Sequence, residues 1–485
     1  MKTRFPIMVV ALLVATNLCS VASAAETVIK VNNIVELQPL LKQSNVHVKV
    51  APGVYRVTAA DMKENFKATA EVVEAKVTRS LILVEGSGST FDFTGVTLEV
   101  ETEVFNAYER CEFNHMHILG NNNVVKNLKL VDVGGVDDFP KFGCVNVVVD
   151  GANNRVEGVE VNLVGSYPYG YGELFGKGGP ATIRHKKHSA MMVRGYANHI
   201  KNCKIYNRSF GHCIMMQAAD KPLIEGCYIE GEMSNTDVVL KEKGTGSAAD
   251  KIGFKTVWGY TVPAGHAIAL CEEGIRAYNG GNTMIDGNRI KRGASNVTVK
   301  NCYIKNTRAG VTLTHAKGER YVENTTAVGT NRGFAIGTGG KMVNCFADTE
   351  NGPAFGVDYV GDRNIEVDLT ILANKNKHYN GSSHAAIIIG SGHKIHLKKA
   401  DGLKADADLF IHVGGDNQTI GLLAKDENYK ATEITLINDT DFVVKLDDNS
   451  SDSTITSVGK VLNNGTNNKI LKAEFNLQMQ LNSYL

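Results

Sequence analysis

Apolar residues in this chain come in short alternating runs, not in the wide stripes that mark helices. One unit recurs with drifting spacing: a short apolar strand, a turn, then Asn/Gly-Cys-x-Ile-x-Asn or a relative of it. It is seen at Asn127-Leu128-Lys129-Leu130, Gly158-Val159-Glu160-Val161, Asn202-Cys203-Lys204-Ile205, Gly226-Cys227-Tyr228-Ile229, Asn301-Cys302-Tyr303-Ile304, Asn324-Thr325-Thr326-Ala327 and Asn344-Cys345-Phe346-Ala347. Asn202 to Gly226 spans 24 residues, Asn301 to Asn324 spans 23 and Asn324 to Asn344 spans 20. A unit this short cannot bury its own apolar face. The pattern therefore predicts one coil per period and like residues stacked on like, with Cys203, Cys227, Cys302 and Cys345 as an inward column and the asparagines before them as a ladder at the turn.

Ahead of the coils, Asn32 to Gln43 reads as an amphipathic helix with Ile34, Leu37, Leu40 and Leu41 on one face. The strand Val46 to Val50 and Ala51-Pro52-Gly53-Val54-Tyr55 follow it. This order resembles the amino-terminal cap of parallel β-helix proteins of the pectate-lyase-like class, and the resemblance extends over nearly all of the chain as architecture. It implies an all-β, right-handed parallel β-helix (solenoid) with an N-terminal capping helix, which shields an open strand edge. It carries no single family's catalytic signature.

The basic start Met1 to Arg4, the apolar run Ile7 to Ala15 and Ala22-Ser23-Ala24 read as a secretory signal peptide over residues 1–24. Residues 25–485 read as a single domain, with 432–485 as an alternative carboxy-terminal cap. Removing the leader takes two basic residues from a total of 52 against 51 acidic, so net charge identifies no partner. Of nine cysteines, Cys111, Cys144, Cys203, Cys213, Cys227, Cys271, Cys302 and Cys345 follow the leader. No Cys or His spacing suits zinc, and a chain of this length can bury a core unaided, so they read as buried thiols.

Two stretches interrupt the repeat, Gly165 to His188 and Gly231 to Ala264. Long insertions in a repeat stack commonly carry function. The first holds Tyr167, Tyr169, Tyr171 and Phe175 and then Arg184-His185-Lys186-Lys187-His188; the second holds Trp258 and Tyr260. Aromatic residues among glycines suit sugar-ring stacking, and equally suit a loop folded on itself.

Alternation fixes which side of each strand faces the core. Placing Met191, Val193, Ile214, Met216, Ile275, Ala277, Val311, Leu313, Phe334, Ile336, Phe355 and Val357 inward leaves Met192, Arg194, Met215, Gln217, Arg276, Tyr278, Thr312, Thr314 and Asp358 outward. Coils repeat at about 4.8 Å, so Arg194, Gln217, Tyr278 and Thr314 form a polar ladder along a groove. His188, His212, Glu272, Glu273, Arg308 and His315 edge it.

Around this face Arg184, Lys186, Lys187, Arg194, Arg276 and Arg308 outnumber Glu272, Glu273 and Asp358, which implies an anionic ligand held by guanidinium forks. With histidines beside them, these are the parts for taking the proton next to a uronic carboxylate. His212 is the candidate base, Arg194 and Arg276 the carboxylate neutralisers, and Tyr278 or His315 the acid. Tyr169, Lys187, His188, Gln217, Glu273, Arg308 and Asp358 are the candidate substrate contacts.

The expected function is a secreted polysaccharide lyase that cleaves an acidic polysaccharide by β-elimination. A glycoside hydrolase is the alternative, with two of Glu272, Glu273 and Asp358 about 5 Å apart for retention or about 6.5–9.5 Å for inversion. A non-catalytic glycan-binding β-helix is the third reading. No dense acidic cluster suggests calcium, so no metal or cofactor is expected. The expected partner is the acidic polysaccharide itself, with a monomeric protein and no nucleic-acid or membrane partner.

Overall fold

The computed structural model describes residues 27–64, 70–73, 76–107, 111–135, 144–175, 185–255, 261–373, 383–415 and 429–472. The signal-peptide segment, Arg184, Trp258 and Tyr260 lie outside them, as does the side chain of Phe175. Each coil contributes one strand to a groove face and up to two strands to the flanking faces. One such coil is His188–Val193, His199–Lys201 and Lys204–Arg208, and the next is Ile214–Met216, Leu223–Glu225 and Tyr228–Glu230. Successive coils pair parallel and in register, as in His199↔Leu223 and Lys204↔Tyr228. Among the described residues the groove-face sheet runs through 14 strands, and pairing of the flanking strands continues to Lys469–Lys472. The chain is a right-handed parallel β-helix.

The amino-terminal helix is shorter than its pattern predicts. Asn33 caps it by accepting from the Glu36 N–H, and Ile34–Leu37 is helical, but Pro39 has no N–H to donate and the chain continues as a 3₁₀ turn over Gln38–Leu40. Ile34, Leu37 and Leu41 are buried against the first coil.

The inward positions expected of the groove-face strands all lie in one continuous core. Register carries the cysteines with it: Lys204, Tyr228, Tyr303 and Thr326 are successive partners, so Cys203, Cys227, Cys302 and Thr325 stack one residue before them. Cys345 follows Thr325, since Thr326 faces Phe346. All four cysteines are buried and unbridged. The preceding asparagines do form a ladder, Asn344 Nδ2 donating to Asn324 Oδ1 at 2.8 Å and Asn324 Nδ2 to Asn301 Oδ1 at 3.2 Å. Each takes the left-handed conformation that ends a strand sharply.

The two insertions fold onto each other. Leu174 from the first joins Val239, Ala249, Phe254 and Val262 from the second, together with Ile268 and Leu270, in a small core of their own, with Tyr169 and Tyr171 packed against it. The Tyr169 hydroxyl donates to Glu232 at 2.5 Å and that of Tyr171 to Glu242 at 2.7 Å. Tyr169 is therefore a joint between insertions, which corrects its reading as a substrate contact. Apolar residues within both loops outcompeted the groove for its ring.

His188 is likewise misplaced by simple alternation. Ala190 and Met191 are successive residues of one strand and both lie in the core, so alternation breaks there and His188 turns inward. There it bonds Asn146 and the Val164 carbonyl, beside His115 and Asp132, with Phe105 edge-on to its ring. Burial lowers the His188 pKa to about 4 and raises that of Asp132 to about 8.

Thiol titration after denaturation without reductant should find Cys203, Cys227, Cys302 and Cys345 free; disulfides among them would refute the ladder. The buried acid gives a second expectation. Asp132 binds its proton more tightly folded than unfolded, so its contribution to stability is lost as pH rises from 3.8 toward about 8. His188 acts in the opposite sense, its contribution being lost as pH falls from 6.5 toward about 4. Between pH 6.5 and 8 Asp132 acts alone of these two. Asp132→Asn should stabilise more at pH 8 than at pH 6.5 in urea melts, and an equal effect at both would refute the assignment.

Candidate active site

The groove-face site is assembled by three successive coils. Ala190 N–H bonds the His212 carbonyl, Cys213 N–H bonds the Glu273 carbonyl and Arg308 N–H bonds the Glu272 carbonyl, so the backbone ladder itself sets these side chains side by side. The coils meet closely at Gly211, where a Cβ would fall 1.9 Å from the His188 carbonyl oxygen. Any larger residue would push His212 off its neighbours.

His212 is almost wholly buried between two carboxylates. Its Nδ1 lies 2.9 Å from Glu273 Oε2, and its Nε2 lies 2.5 Å from the Tyr278 hydroxyl and 3.3 Å from Glu272 Oε2. Arg308 Nη2 reaches both Glu273 oxygens at 3.0 Å and Glu272 Oε1 at 3.3 Å, and Lys187 Nζ reaches Glu272 at 2.5 Å. Arg276 Nη1 lies 3.5 Å from Glu273, and its guanidinium lies 5.3 Å from the centre of the Tyr278 ring. Burial alone would raise both glutamates, but His212, Lys187 and Arg308 hold Glu272 low and Arg308, Arg276 and His212 hold Glu273 low. Both are carboxylates at neutral pH. Burial and the two glutamates push the Tyr278 phenol upward, so it is protonated at rest.

A second chain leads outward from Arg276. Its Nη2 donates to His315 Nδ1 at 3.0 Å, and His315 Nε2 lies 2.6 Å from the hydroxyl of Tyr359. A guanidinium can only donate, so His315 is neutral with its proton on Nε2. Burial and Arg276 both lower its pKa, in keeping with that state. This corrects the reading of His315 as an acid: it holds Arg276 in place on one side and Tyr359 on the other.

Arg194 stands apart from this cluster. It lies 3.4 Å from Asp150, which His117 also contacts at 2.8 Å and to which Thr283 donates at 2.7 Å. Arg194, read as a carboxylate neutraliser beside the base His212, is held by that pairing outside the His212 cluster. Gln217 and Thr314 occupy the ladder as register requires. Thr314 donates to Asp358 at 2.9 Å across Gly337, which leaves room by having no side chain, and Arg332 pairs with the other Asp358 oxygen. Asp358 is thus buried in its own ion pair. Lys187 and Arg308 face the two glutamates, so they neutralise the site in place of binding substrate directly.

Sequence reasoning missed Asp150, His117, Arg332, Tyr359 and the hairpin Asn282–Ile285/Asn288–Lys291. The hairpin had a signal, Asp286-Gly287, whose two left-handed residues make the tight turn that suits paired strands. The others had none, because a single Asp or Arg near a strand end is common.

His212, Glu272 and Glu273 bring donor atoms within 4.8 Å of one another, a set able to hold a divalent ion. Such an ion would compete with three fixed cations, Lys187, Arg276 and Arg308, for the same carboxylates.

A family model for the right-handed β-helix region matches residues 181–372, the stretch that holds this site. No curated protein matches the chain. Among solved structures, it is similar to an alginate lyase from Paenibacillus sp. str. FPU-7 at 12% identity, with 92% of this chain and 99% of that one covered and a TM-score of 0.34. It is similar to a PL6 alginate lyase in complex with trisaccharide at 11% identity, with 93% and 86% covered and a TM-score of 0.42. It is also similar to the catalytic domain of a GH87 α-1,3-glucanase in complex with nigerose at 10% identity, with 92% and 66% covered and a TM-score of 0.39. These likenesses do not choose between elimination and hydrolysis.

Removing one member of a buried ion network leaves the rest uncompensated. Arg308→Leu should lower the unfolding free energy by about 3–5 kcal/mol. Glu272 and Glu273 have folded pKa values below the ordinary 4.5, so their stabilisation is present above pH 4.5 and lost below it. The deficit of the variant should therefore shrink as pH falls below 4.5 in urea melts, and a pH-independent deficit would show that packing alone was lost.

Proposed function

We propose that this chain is a secreted carbohydrate-active enzyme, a polysaccharide lyase that cleaves a uronic-acid polymer by β-elimination. The observation that carries the reading is the relay Glu273–His212–Tyr278 beside Arg276. His212 Nδ1 lies 2.9 Å from the Glu273 carboxylate, which favours the tautomer protonated at Nδ1 and leaves Nε2 to accept the Tyr278 proton. Buried His212 does not itself meet the sugar. The base role read for it passes to Tyr278, with His212 as the proton store.

In the proposed reaction, the Tyr278 proton moves to His212, where Glu272 and Glu273 stabilise the imidazolium. The phenolate then takes the proton from the carbon next to the uronic carboxylate, whose growing charge Arg276 neutralises. The C–H electron pair becomes the new C=C bond as the bond to the glycosidic oxygen breaks. Tyr278 protonates the departing oxygen, and His212 returns its proton to Tyr278.

Hydrolysis needs one carboxyl group kept protonated to act as acid. Glu272 and Glu273 are both held ionised, and Asp358 is tied to Arg332, so none of the three is free for that role. This favours elimination over the rival chemistry.

Incubation with alginate or polygalacturonate should yield products with the ultraviolet absorbance of an unsaturated uronate. Saturated products with new reducing ends would refute the lyase and favour the hydrolase. Tyr278→Phe and His212→Ala should each lower turnover at least about a hundredfold while the fold survives, by circular dichroism. Near-normal turnover in either would remove the relay.

A further inference from the structure

The hairpin Asn282–Ile285/Asn288–Lys291 leaves the coil that carries Arg276 and Tyr278, then folds back over coils nearer the amino terminus. Arg292 fastens its base by donating to the Ala218 carbonyl at 3.0 Å and the Gly195 carbonyl at 2.6 Å. Its far end is fastened as well. Gly151 N–H donates to the Met284 carbonyl at 3.0 Å, and Asn121 Nδ2 donates to Asp286 at 2.6 Å. Thr283 is seated on Asp150, and both side chains are buried.

Asp150 follows Val149 in the strand that pairs with Arg194's, so it occupies the next rung of the ladder beyond Arg194. From Arg194 the ladder runs through Gln217, Tyr278 and Thr314 with partly accessible side chains; Asp150 is buried beneath the hairpin, which interrupts the ladder before it surfaces again at Leu119 and Glu85. Val148, next to Met192, is buried in an apolar patch that continues beneath the groove through Met192 and Met215 to Tyr278. Arg194 itself keeps 22% of its side chain exposed on the open side of the hairpin. Its guanidinium is braced from behind by Asp150, whose carboxylate His117 also engages.

Arg194's strand and that of Tyr278 are two spacings apart, about 10 Å, so an occupant of the Arg194 position lies only a couple of sugar units from the reacting bond. The geometry points to a closed groove: we propose that Arg194 and the Asp150–Thr283 wall form a terminal subsite for the carboxylate of the last uronate, so that the enzyme works from one chain end. The inference rests on the reading of the groove as a uronate site.

The test compares early products and binding stoichiometry. The protein should release short unsaturated products from alginate or polygalacturonate from the first time points, with little loss of viscosity. Replacing residues 283–290 by Asn-Gly keeps a two-residue turn between the paired Asn282 and Lys291. That variant should release longer oligomers and lower viscosity several-fold more per double bond formed. Since the shortened hairpin could impair folding, a second measurement uses Tyr278→Phe as a binder with uronate chains of graded length. Binding should saturate at one protein per chain whatever the length. Long oligomers from the intact protein, or stoichiometry that grows with length, would overturn the closed end while leaving the lyase reading intact. If uronate chains are neither cut nor bound, the uronate reading fails first and this inference with it.

Discussion

Everything in this molecule hangs on the parallel backbone ladder between coils. Each coil is fastened to the next by hydrogen bonds that admit one register, and a slip of one residue would turn every inward side chain outward. Ile205 lies over Ile229 and Ile229 over Ile304 because Lys204, Tyr228 and Tyr303 are partners. The same constraint builds the site, since His212, Glu273 and Arg308 are each one coil apart and tied through main-chain bonds. Core and chemistry are thus two faces of a single alignment.

Much of the fold was legible because it rests on repetition. The Asn-Cys-x-Ile unit encoded coil length, the inward column and the turn ladder together, and alternation placed Met191 to Val357 correctly on the core side. What repetition could not encode was departure from it. A break in alternation at Ala190 and Met191 reversed His188, and Pro39 cut the capping helix short. Tyr169 went astray for a different reason: a ring in a loop follows whichever apolar partners come nearest, and those of the second insertion, from Val239 onward, lie far along the chain.

The site was legible as a neighbourhood and not as a wiring diagram. Sequence placed His212, Glu273, Arg276, Tyr278 and Arg308 along one face, and the structure brings them together. It could not tell which cations are spent on internal carboxylates. Arg308 and Lys187 face Glu272 and Glu273, so the apparent surplus of positive charge is largely neutralised inside the site. The remaining distinction between His212 and Tyr278 is one of depth, and depth depends on what neighbouring coils stack above and below.

The paired insertions bear on how such a molecule can diversify. A solenoid ordinarily lets one coil acquire a loop without consulting the others, because each loop faces water alone. Here Leu174 from one insertion completes a small core with Val239, Phe254 and Val262 from another, and two tyrosine hydroxyls stitch the halves together. Neither can be grafted onto a related scaffold by itself without baring apolar surface. Homologous descent should therefore gain, lose or exchange the two as one cassette, even though two whole coils of sequence stand between them.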